Sequence, residues 1–590
     1  MVDLFDELDP RLSQELRAAY FRRSREPIEG LPRGATVVLA GHRAAGKTRL
    51  LPLIAKALGR TAIDLDQVLS QQRPLREWVA DDLLSFRAAE RSAFRQLPSS
   101  CVVSVGGGFL ASHAPVLAGC VVVLVPVTYE TYVERLRADD TRPRLRPELS
   151  NEAELREVFA EREDLHRAAH PTGFVDFVLR LHRGFRARRV VTLPPGADVL
   201  SFAWHARHLG ADVLELRTDL TPAIELRGVT RALPVLAAQR GLSVHDTWAR
   251  GAQLFDVERQ SGAALHNGLL SFHSPTALTT REALEAWAKA PAEAHIKHVE
   301  PLEKLERTAV LLATQTALLE RFGPERVTVL ATGPLALPAR AQLAARNELD
   351  YLAVDSTWAA AVGQRLLPDA VREARYARPS STGRLGIVGG AIAYSRSPRI
   401  HAQPFDRIEL PEEVDLPAVL QALHASHRGL AITNPFKKRV AEAVGAPEAA
   451  VNTLVRTASG WSAANTDCDG ATAVLEALAS PSVTVLGDGG ATAALRVAAQ
   501  QLEVMLVLRP HHSTFDGPVT GAAVWTWPAS IEPPPGLTFI GAQVAVIAYG
   551  PPGREIAHRI RTLGGMPRML GPRWFIAQAR RQKALWEHAQ

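Results

Sequence analysis

The sequence predicts a multidomain α/β protein, and three observations predict it. Its 590 residues are enough for about three or four domains. From "ATVVLAG" (35–41) onward, short apolar runs rich in β-branched residues alternate with amphipathic helical stretches, the pattern of α/β folds. Two passages of different composition interrupt that alternation: a charged connector, "LHRGFRARR" (181–189), and a Pro/Ser/Gly linker, "YARPSSTGR" (376–384). They mark off three α/β segments, preceded by residues 1–34, of which 9–25 read as a short helix. There is no internal repeat or low-complexity run, and each segment carries its own motifs.

Composition narrows the function classes. Hydrophobic residues at 46% and charged residues at 22% are the balance of a globular protein with several cores. A net charge of +6 over this length is mild and suits small anionic substrates. No lysine-rich tail, basic helix or aromatic-interleaved basic patch is present, so nucleic acid is not expected as a partner. Cys101, Cys120 and Cys468 lack the spacing of a zinc site, redox motif or disulfide framework, and a reducing compartment suits them. The N-terminus is acidic and then amphipathic, unlike a signal peptide, and no apolar run reaches bilayer-spanning length. The expected location is the cytoplasm, with no membrane partner.

In the first segment, "VVLAGHRAAGKTRLLPLIAKAL" reads as a strand, then Gly41-x-x-x-x-Gly46-Lys47-Thr48, then a helix. This is the phosphate-binding loop in its required context. Backbone N–H groups of the loop and helix N-terminus cradle phosphates. Lys47 is expected to neutralise the β and γ oxygens and Thr48 to hold Mg2+, which makes ATP the expected cofactor. Downstream, "AIDLDQVL" puts Asp64 and Asp66 at a strand end, and "SFRAAERSAF" puts Arg87 one helical turn from Glu90. "VVSVGGGF" ends a strand in Gly106, Gly107 and Gly108, "DDTRPRLRP" is an arginine-rich loop, and "AEREDLHRAAH" carries Arg162. In this order they resemble shikimate kinase across residues 35–182. The resemblance implies Asp64 on Mg2+, Asp66 on a ring hydroxyl, and Arg87 and Arg162 on the shikimate carboxylate. It also implies the glycine triplet against the ring, with Arg142 as a lid over the phosphates. Ala44 stands where that family usually has a third loop glycine.

The second segment poses a question at "EAHIKHVEP" (293–301), where Lys297 sits inside a strand pattern. A buried ammonium is costly unless paired or deprotonated. Strand side chains alternate between faces. "DVLELRTDL" therefore projects Glu215, Arg217 and Asp219 together, "FDVER" projects Asp256 and Glu258, and "LLSFHS" projects Ser271 and His273. "HIKHV" projects His295 and Lys297. A barrel with a polar mouth would gather them; the wet face of a half-exposed sheet is the alternative. Glu-x-Arg-x-Asp, then Arg240 after a strand, then Ser-x-His, then the strand lysine resembles type I 3-dehydroquinate dehydratase, a (β/α)8 barrel, across residues 188–375. The resemblance implies Lys297 as the Schiff-base amine and His273 as the general base and acid. Glu215, Arg217, Arg240, Arg340 ("LATGPLALPAR") and Gln364 ("AAAVGQ") would hold the substrate. Val244 stands where the family has an acid that orients the histidine, and Ala360 where it has a serine.

In the third segment, "GIVGGAIAYSRSPRIHA" carries Ser395 and Ser397, "GLAITNPFKKRV" Thr433 and Lys437, "AAVNTLV" Asn452, and "SAANTDCDG" Asp467. "VTVLGDGGATAALRVAAQ" is a strand, a glycine turn (Gly487, Gly489, Gly490) and a helix, the context of a dinucleotide site. The set resembles shikimate dehydrogenase across residues 383–590, a two-lobed α/β fold with a substrate lobe (383–475) and a Rossmann-like NADP lobe (476–570). It implies Lys437 and Asp467 as the catalytic pair, with Ser395, Ser397, Thr433, Asn452 and Gln578 on substrate. Arg509, ending the next strand, is placed to meet a 2′-phosphate, favouring NADP. Ala431 replaces an asparagine usual in the family, and its Asn-Ala-Thr-Pro turn is not recognisable between 515 and 545.

The three resemblances name consecutive steps of one pathway, in the order of the C-terminal part of the fungal pentafunctional AROM protein. A trifunctional enzyme acting on 3-dehydroquinate, 3-dehydroshikimate and shikimate is the expectation, and a homodimer is left open. One alternative is a metabolite-sensing regulator like the fungal quinate repressor, which shares this domain order. Another is a live kinase and dehydratase joined to a vestigial reductase. The presence of Lys47, Asp64, His273, Lys297, Lys437 and Asp467 favours the enzyme.

Overall fold

The computed structural model describes residues 4–98, 100–138, 144–146, 148–259, 268–376, 383–393, 395–401, 403–448 and 450–588. The first domain is built on five parallel strands, Val37–Ala40, Ala62–Asp64, Val102–Ser104, Val121–Leu124 and Thr172–Gly173, in the spatial order 2-3-1-4-5. The phosphate loop therefore leaves the central strand. Side chains of that strand alternate between two cores, Val37 and Leu39 on one face, Val38 and Ala40 on the other. Burial on both faces is why the strand reads as an uninterrupted apolar run.

The expected N-terminal helix spans Pro10–Arg23 after a short turn at Leu4–Glu7. It is not an appendage. Leu4, Phe5 and Leu8 belong to the same core as Val37 and Leu39. Asp9 caps the helix through Arg11 N at 3.0 Å, and its other oxygen accepts from Thr128 N at 2.8 Å and Thr128 Oγ1 at 2.7 Å.

The connector at 181–189 is likewise no spacer. Phe185–Arg186 forms a parallel pair with Leu31–Pro32, and the connector arginines are buried in ion pairs. Arg186 meets Asp212 at 2.5 Å and Glu29 at 3.4 Å, Arg188 meets Glu348 at 2.5 Å, and Arg189 pairs with Glu29. From the kinase-like side, Arg60 reaches Glu325 at 2.5 Å. A charge run suggests a solvated linker, but Arg186, Arg188 and Arg189 all find counter-ions. Accordingly the chain divides into two compact units, Met1–Tyr376 and Ala377–Gln590, with the first two segments sharing one.

The second domain is a curled sheet of parallel strands in chain order from Arg188–Thr192 to Val327–Thr332, and the eighth, Leu349–Ala353, pairs back onto the first. Arg365–Leu366 adds a short ninth strand beside the eighth. Val190, Val213, Leu236, Leu269, Val299, Leu330, Leu349 and Tyr351 fill the interior, while Val191, Leu214, Val235 and Ala237 pack outward. That is the period-two division of a barrel with a filled core. Between the seventh and eighth strands the regular ladder is replaced by a side-chain seam. Glu348 N donates to Val327 O at 2.7 Å, and Leu349 N to Thr328 Oγ1 at 3.0 Å. Asn347, fully buried, accepts from Val329 N at 2.9 Å and donates to Val329 O at 2.8 Å.

The second unit has two sheets. Arg384–Gly389, Phe405–Glu409 and His427–Ile432 run parallel and are extended by the antiparallel strands Thr453–Thr457 and Gly460–Ala464. Ser482–Leu486, Met505–Arg509, Val519–Trp525, Phe539–Val546 and Met566–Met569 form the other sheet, all parallel in the order 2-1-3-4-5. The last helix, Gly571–His588, returns to the first sheet, where Trp586 Nε1 donates to Leu454 O at 2.9 Å. A Cβ at position 429 would stand 2.3 Å from the Trp586 indole, so Gly429 is what lets this helix dock.

Replacing Asn347 by leucine leaves a buried N–H and C=O of Val329 without partners, at about 1–3 kcal/mol for each group. We expect N347L to lower the unfolding midpoint of the first unit and leave that of the second unchanged, measured by denaturant titration of the full chain with domain-resolved hydrogen exchange.

Candidate active sites

The phosphate loop runs from the central strand into helix Lys47–Leu58. Gly41 and Gly46 take φ of +137° and +94°, and a Cβ at Gly41 would meet Val125 O at 2.7 Å. Ala44 takes φ +59°, in the left-handed region that favours glycine, which is the physical sense of its departure from the family pattern. Lys47 Nζ donates to the loop carbonyls of Gly41 (3.1 Å) and His42 (2.7 Å). Thr48 Oγ1 lies 3.3 Å from Asp64 Oδ2, a hydroxyl–carboxylate pair whose hard oxygens fit Mg2+. Asp66, Arg87, Gly106, Gly107, Gly108 and Arg162 share with Gly46, Lys47, Thr48 and Asp64 the lining of a cavity of about 560 Å3. The glycine triplet is shaped by its arginines: a Cβ at Gly107 would lie 2.8 Å from Arg162 Nη1, and one at Gly108 2.5 Å from Arg87 Nη2. Burial, reinforced by Arg43, lowers the Arg162 guanidinium to about 10, so it stays charged at neutral pH. Glu90 pins Arg87 at 2.5 Å and is itself met by His113 Nε2 at 3.2 Å. Arg142 lies outside the described residues.

In the barrel, Glu215, Arg217, Arg240, His273, Lys297, Arg340 and Gln364 all line one cavity of about 280 Å3. Lys297 is 3% exposed, and its Nζ lies 2.5 Å from Asp256 Oδ2 and 3.4 Å from the Tyr351 hydroxyl. Burial pushes its pKa below the ordinary lysine value and Arg240 adds to that, against the opposing pull of Asp256 and Glu215. Burial alone would raise the Asp256 carboxyl, but Lys297 and Arg240 hold it well below the usual carboxylate range. Arg240 reaches Asp256 at 2.7 Å and Glu215 at 3.8 Å, and Thr192 Oγ1 donates to Glu215 at 2.5 Å. Arg217 donates twice to Asp219, at 3.0 and 2.7 Å.

His273 Nδ1 stands 3.1 Å from Glu258 Oε1. That carboxylate stands on the neighbouring strand, whereas position 244, where the resemblance expects an acid, is valine. Burial, then the charges of Lys297 and Arg240, lowers the imidazole to about 4. Arg340 is more tightly held than expected of a free substrate ligand: its donors go to Tyr351 O at 2.7 Å and Ala331 O at 3.3 Å, and burial lowers its pKa to about 10. Gln364 Oε1 accepts from Ala360 N at 2.9 Å.

In the second unit Lys437 Nζ and Asp467 Oδ2 are 2.5 Å apart, and Trp574 Nε1 approaches the other oxygen at 3.4 Å. Asn452 Nδ2 donates to Gln578 Oε1 at 3.4 Å, while Asn452 Oδ1 accepts from Thr466 N at 2.8 Å. Ser395 and Ser397 are buried and bonded to each other at 3.2 Å. Thr433 ends the strand run leading to the Lys437 helix, its carbonyl accepting from Phe436 N at 3.0 Å. The glycine turn fits a dinucleotide. Gly487 takes φ +135°, a Cβ at Gly489 or Gly490 would meet nothing within 4 Å, and helix Gly490–Gln501 starts without a side-chain cap. Uncapped N–H groups at a helix start are a general site for phosphate groups. Arg509 is exposed on the adjacent strand, in register with Leu486 just before that turn.

Asp256, Glu258, Thr192 and Tyr351 join the cavity residues without a role assigned from the sequence. The first two were visible as a same-parity acidic pair on one strand, whereas Tyr351 had no signal short of barrel closure. We expect the His273 ring, followed by NMR, to titrate near 4, against about 6.5 for an unperturbed imidazole. In Lys297→Ala it should titrate higher, because one of the cations opposing its protonation is gone.

A family model described as shikimate kinase matches residues 43–174. The shikimate kinase of Thermosynechococcus vestitus is 34% identical over 143 residues, 23% of this chain and 78% of that protein. A shikimate dehydrogenase (NADP(+)) of Anaeromyxobacter sp. strain K is 33% identical over 141 residues, 20% of this chain and 50% of that protein. The pentafunctional AROM polypeptide of Malassezia globosa is 30% identical over 273 residues, 40% of this chain and 16% of that polypeptide. The chain thus spans half the length of the dehydrogenase and a minor part of the AROM polypeptide. Since its alignment with the kinase runs over 78% of that protein, the chain belongs to the shikimate kinase family.

Proposed function

We propose that the chain is a trifunctional shikimate-pathway enzyme that dehydrates 3-dehydroquinate, reduces the 3-dehydroshikimate formed, and phosphorylates shikimate. The observation that carries this reading is Lys297, buried in a cavity with His273, Arg240 and Glu215. The kinase family match and the similarity to shikimate dehydrogenases support the flanking activities.

For the dehydration, Nζ of the deprotonated Lys297 adds to the substrate ketone, a proton passes from nitrogen to oxygen, and expulsion of that oxygen as hydroxide leaves a protonated imine. Burial and the neighbouring Arg240 favour the neutral amine needed for attack. His273, neutral and oriented by Glu258, takes a proton from the carbon beside the imine, whose electron pair moves into the C–N system. The imidazolium then gives its proton to the departing hydroxyl, which leaves as water. Hydrolysis of the imine returns the amine. Arg217, Arg240 and Glu215 bind the polyhydroxy acid by charge and hydrogen bonds.

Bound ATP with Mg2+ supplies a phosphoryl group and bound NADPH a hydride. Around the first, Lys47 would neutralise phosphate oxygens, Thr48 and Asp64 would hold the metal, and Asp66 would receive the acceptor hydroxyl. Arg87 and Arg162, beside the glycine triplet, would bind the carboxylate. Around the second, Asp467 holds the Lys437 ammonium, which gives a proton to the alkoxide oxygen as the carbonyl is reduced.

Borohydride in the presence of 3-dehydroquinate should covalently trap the substrate on the wild-type chain, with the mass increment located on Lys297 by peptide mapping. Lys297→Ala should trap nothing. A wild-type chain that binds the substrate yet does not trap it would replace the enzymatic reading of this domain with a metabolite-sensing one. In NADP-dependent oxidation of shikimate, Asp467→Asn should lower kcat by about 10²–10⁴, the range for general acid–base groups, while KM for NADP changes little.

A further inference from the structure

The phosphate loop contributes a buried side chain that the proposed kinase chemistry does not use. His42, directly after Gly41, is 2% exposed and turns away from the phosphates toward helix Asn151–Ala168. Its ring stacks on Phe159, with centroids 4.1 Å apart and planes inclined by 9°. Its Nε2 lies 2.9 Å from Glu163 Oε1, and the His166 ring, also 2% exposed, stands 4.8 Å away edge-on. Nδ1 of His42 and Nδ1 of His166 are both buried without a hydrogen-bond partner. Buried imidazole nitrogens are normally satisfied, so two orphans in one cluster point to a missing ligand.

We propose that His42, Glu163 and His166 form a binding site for a divalent transition-metal ion of the zinc class, separate from the Mg2+ position at Thr48 and Asp64. One ligand atom from each of the three lies within 4.8 Å of the others. Ligand bonds of about 2.0–2.2 Å around a tetrahedral zinc ion place donor atoms about 3.4 Å apart. Side-chain rotations of about 1 Å therefore close the site, with water completing the tetrahedron. Two imidazoles and one carboxylate select zinc, nickel or copper over magnesium, which prefers an all-oxygen shell. Lys47 and Arg162 are cationic neighbours, so the Glu163 carboxylate is the one anionic ligand that offsets them. Its other oxygen meets Arg167 at 3.7 Å. Burial keeps both imidazoles in the neutral form a metal requires.

Position gives the site a consequence. His42 O accepts from Lys47, and Glu163 follows Arg162, the arginine placed at the substrate cavity. An ion here ties the base of the phosphate loop to the substrate-binding helix, so occupancy should stiffen both.

The test uses the full metal-stripped chain and a cobalt(II) titration, because cobalt reports low-coordinate nitrogen and oxygen ligation by its visible absorption. With 19 histidines in the chain, variants must separate this site from adventitious binding. We expect one equivalent of cobalt to produce the bands in wild type, and zinc to displace it and raise the unfolding temperature where Mg2+ does not. His166→Phe and His42→Leu should lose the bands. The milder Glu163→Gln, which keeps the shape of the side chain, should weaken zinc by about tenfold or more, since even outer-shell changes cost that much. Bands that persist undiminished in Glu163→Gln and His166→Phe, or a wild-type chain showing neither bands nor zinc-dependent stabilisation, would overturn the assignment.

Discussion

A buried ammonium has to be paired or neutral, and the middle of this molecule is organised around that constraint. Lys297 stands on an interior strand with Asp256 at 2.5 Å and Arg240 sharing the same carboxylate. Two cations on one buried anion is an arrangement with an unsettled proton: it stabilises the carboxylate and leaves the lysine prone to deprotonation. A purely structural pair would be served by one cation. Burial, ahead of the neighbouring charges, lowers both the Lys297 amine and the His273 imidazole.

The same constraint works outside the cavity. Between the kinase-like sheet and the barrel, Arg60, Arg186, Arg188 and Arg189 are buried against Glu29, Asp212, Glu325 and Glu348. Buried ion pairs contribute little net stability because desolvation offsets the attraction, but they penalise any other docking that would leave a charge unpaired. The joint is therefore specified by charge matching, and the N-terminal segment, through Glu29 and the Leu31–Pro32 strand, is part of it. In the kinase-like cavity, absent side chains do comparable work: Gly107 and Gly108 make room for two guanidinium groups that a Cβ would displace.

The second unit uses a more sparing version of this logic. Lys437 and Asp467 form a single close pair at the edge of the helix Asp467–Leu478, with the Trp574 indole against the carboxylate. The C-terminal helix that carries Trp574 and Gln578 also carries Gln582 and Trp586 onto Asn452 and Leu454. Ala431 is buried in the sheet core, paired with Ile387 on one side and Thr453 on the other.

What the amino-acid sequence determined by itself is local: the phosphate loop between strand and helix, the same-face placement of Glu215 with Arg217 and of Asp256 with Glu258, the glycine turn before Arg509, and the break at Tyr376. These depend on periodicity and on residues a few positions apart, where backbone geometry alone decides direction. What only the tertiary structure decided is pairing across long separations. Asp256 meets Lys297, Glu258 meets His273, Asn347 closes the barrel seam, and Arg186, Arg188 and Arg189 are ion-paired rather than solvated. His42 finding Glu163 and His166 is of the same kind. Opposite charges and ligand atoms carry no address in a linear chain; their partners are chosen when the sheet curls, the helices pack and desolvation makes an unpaired group costly.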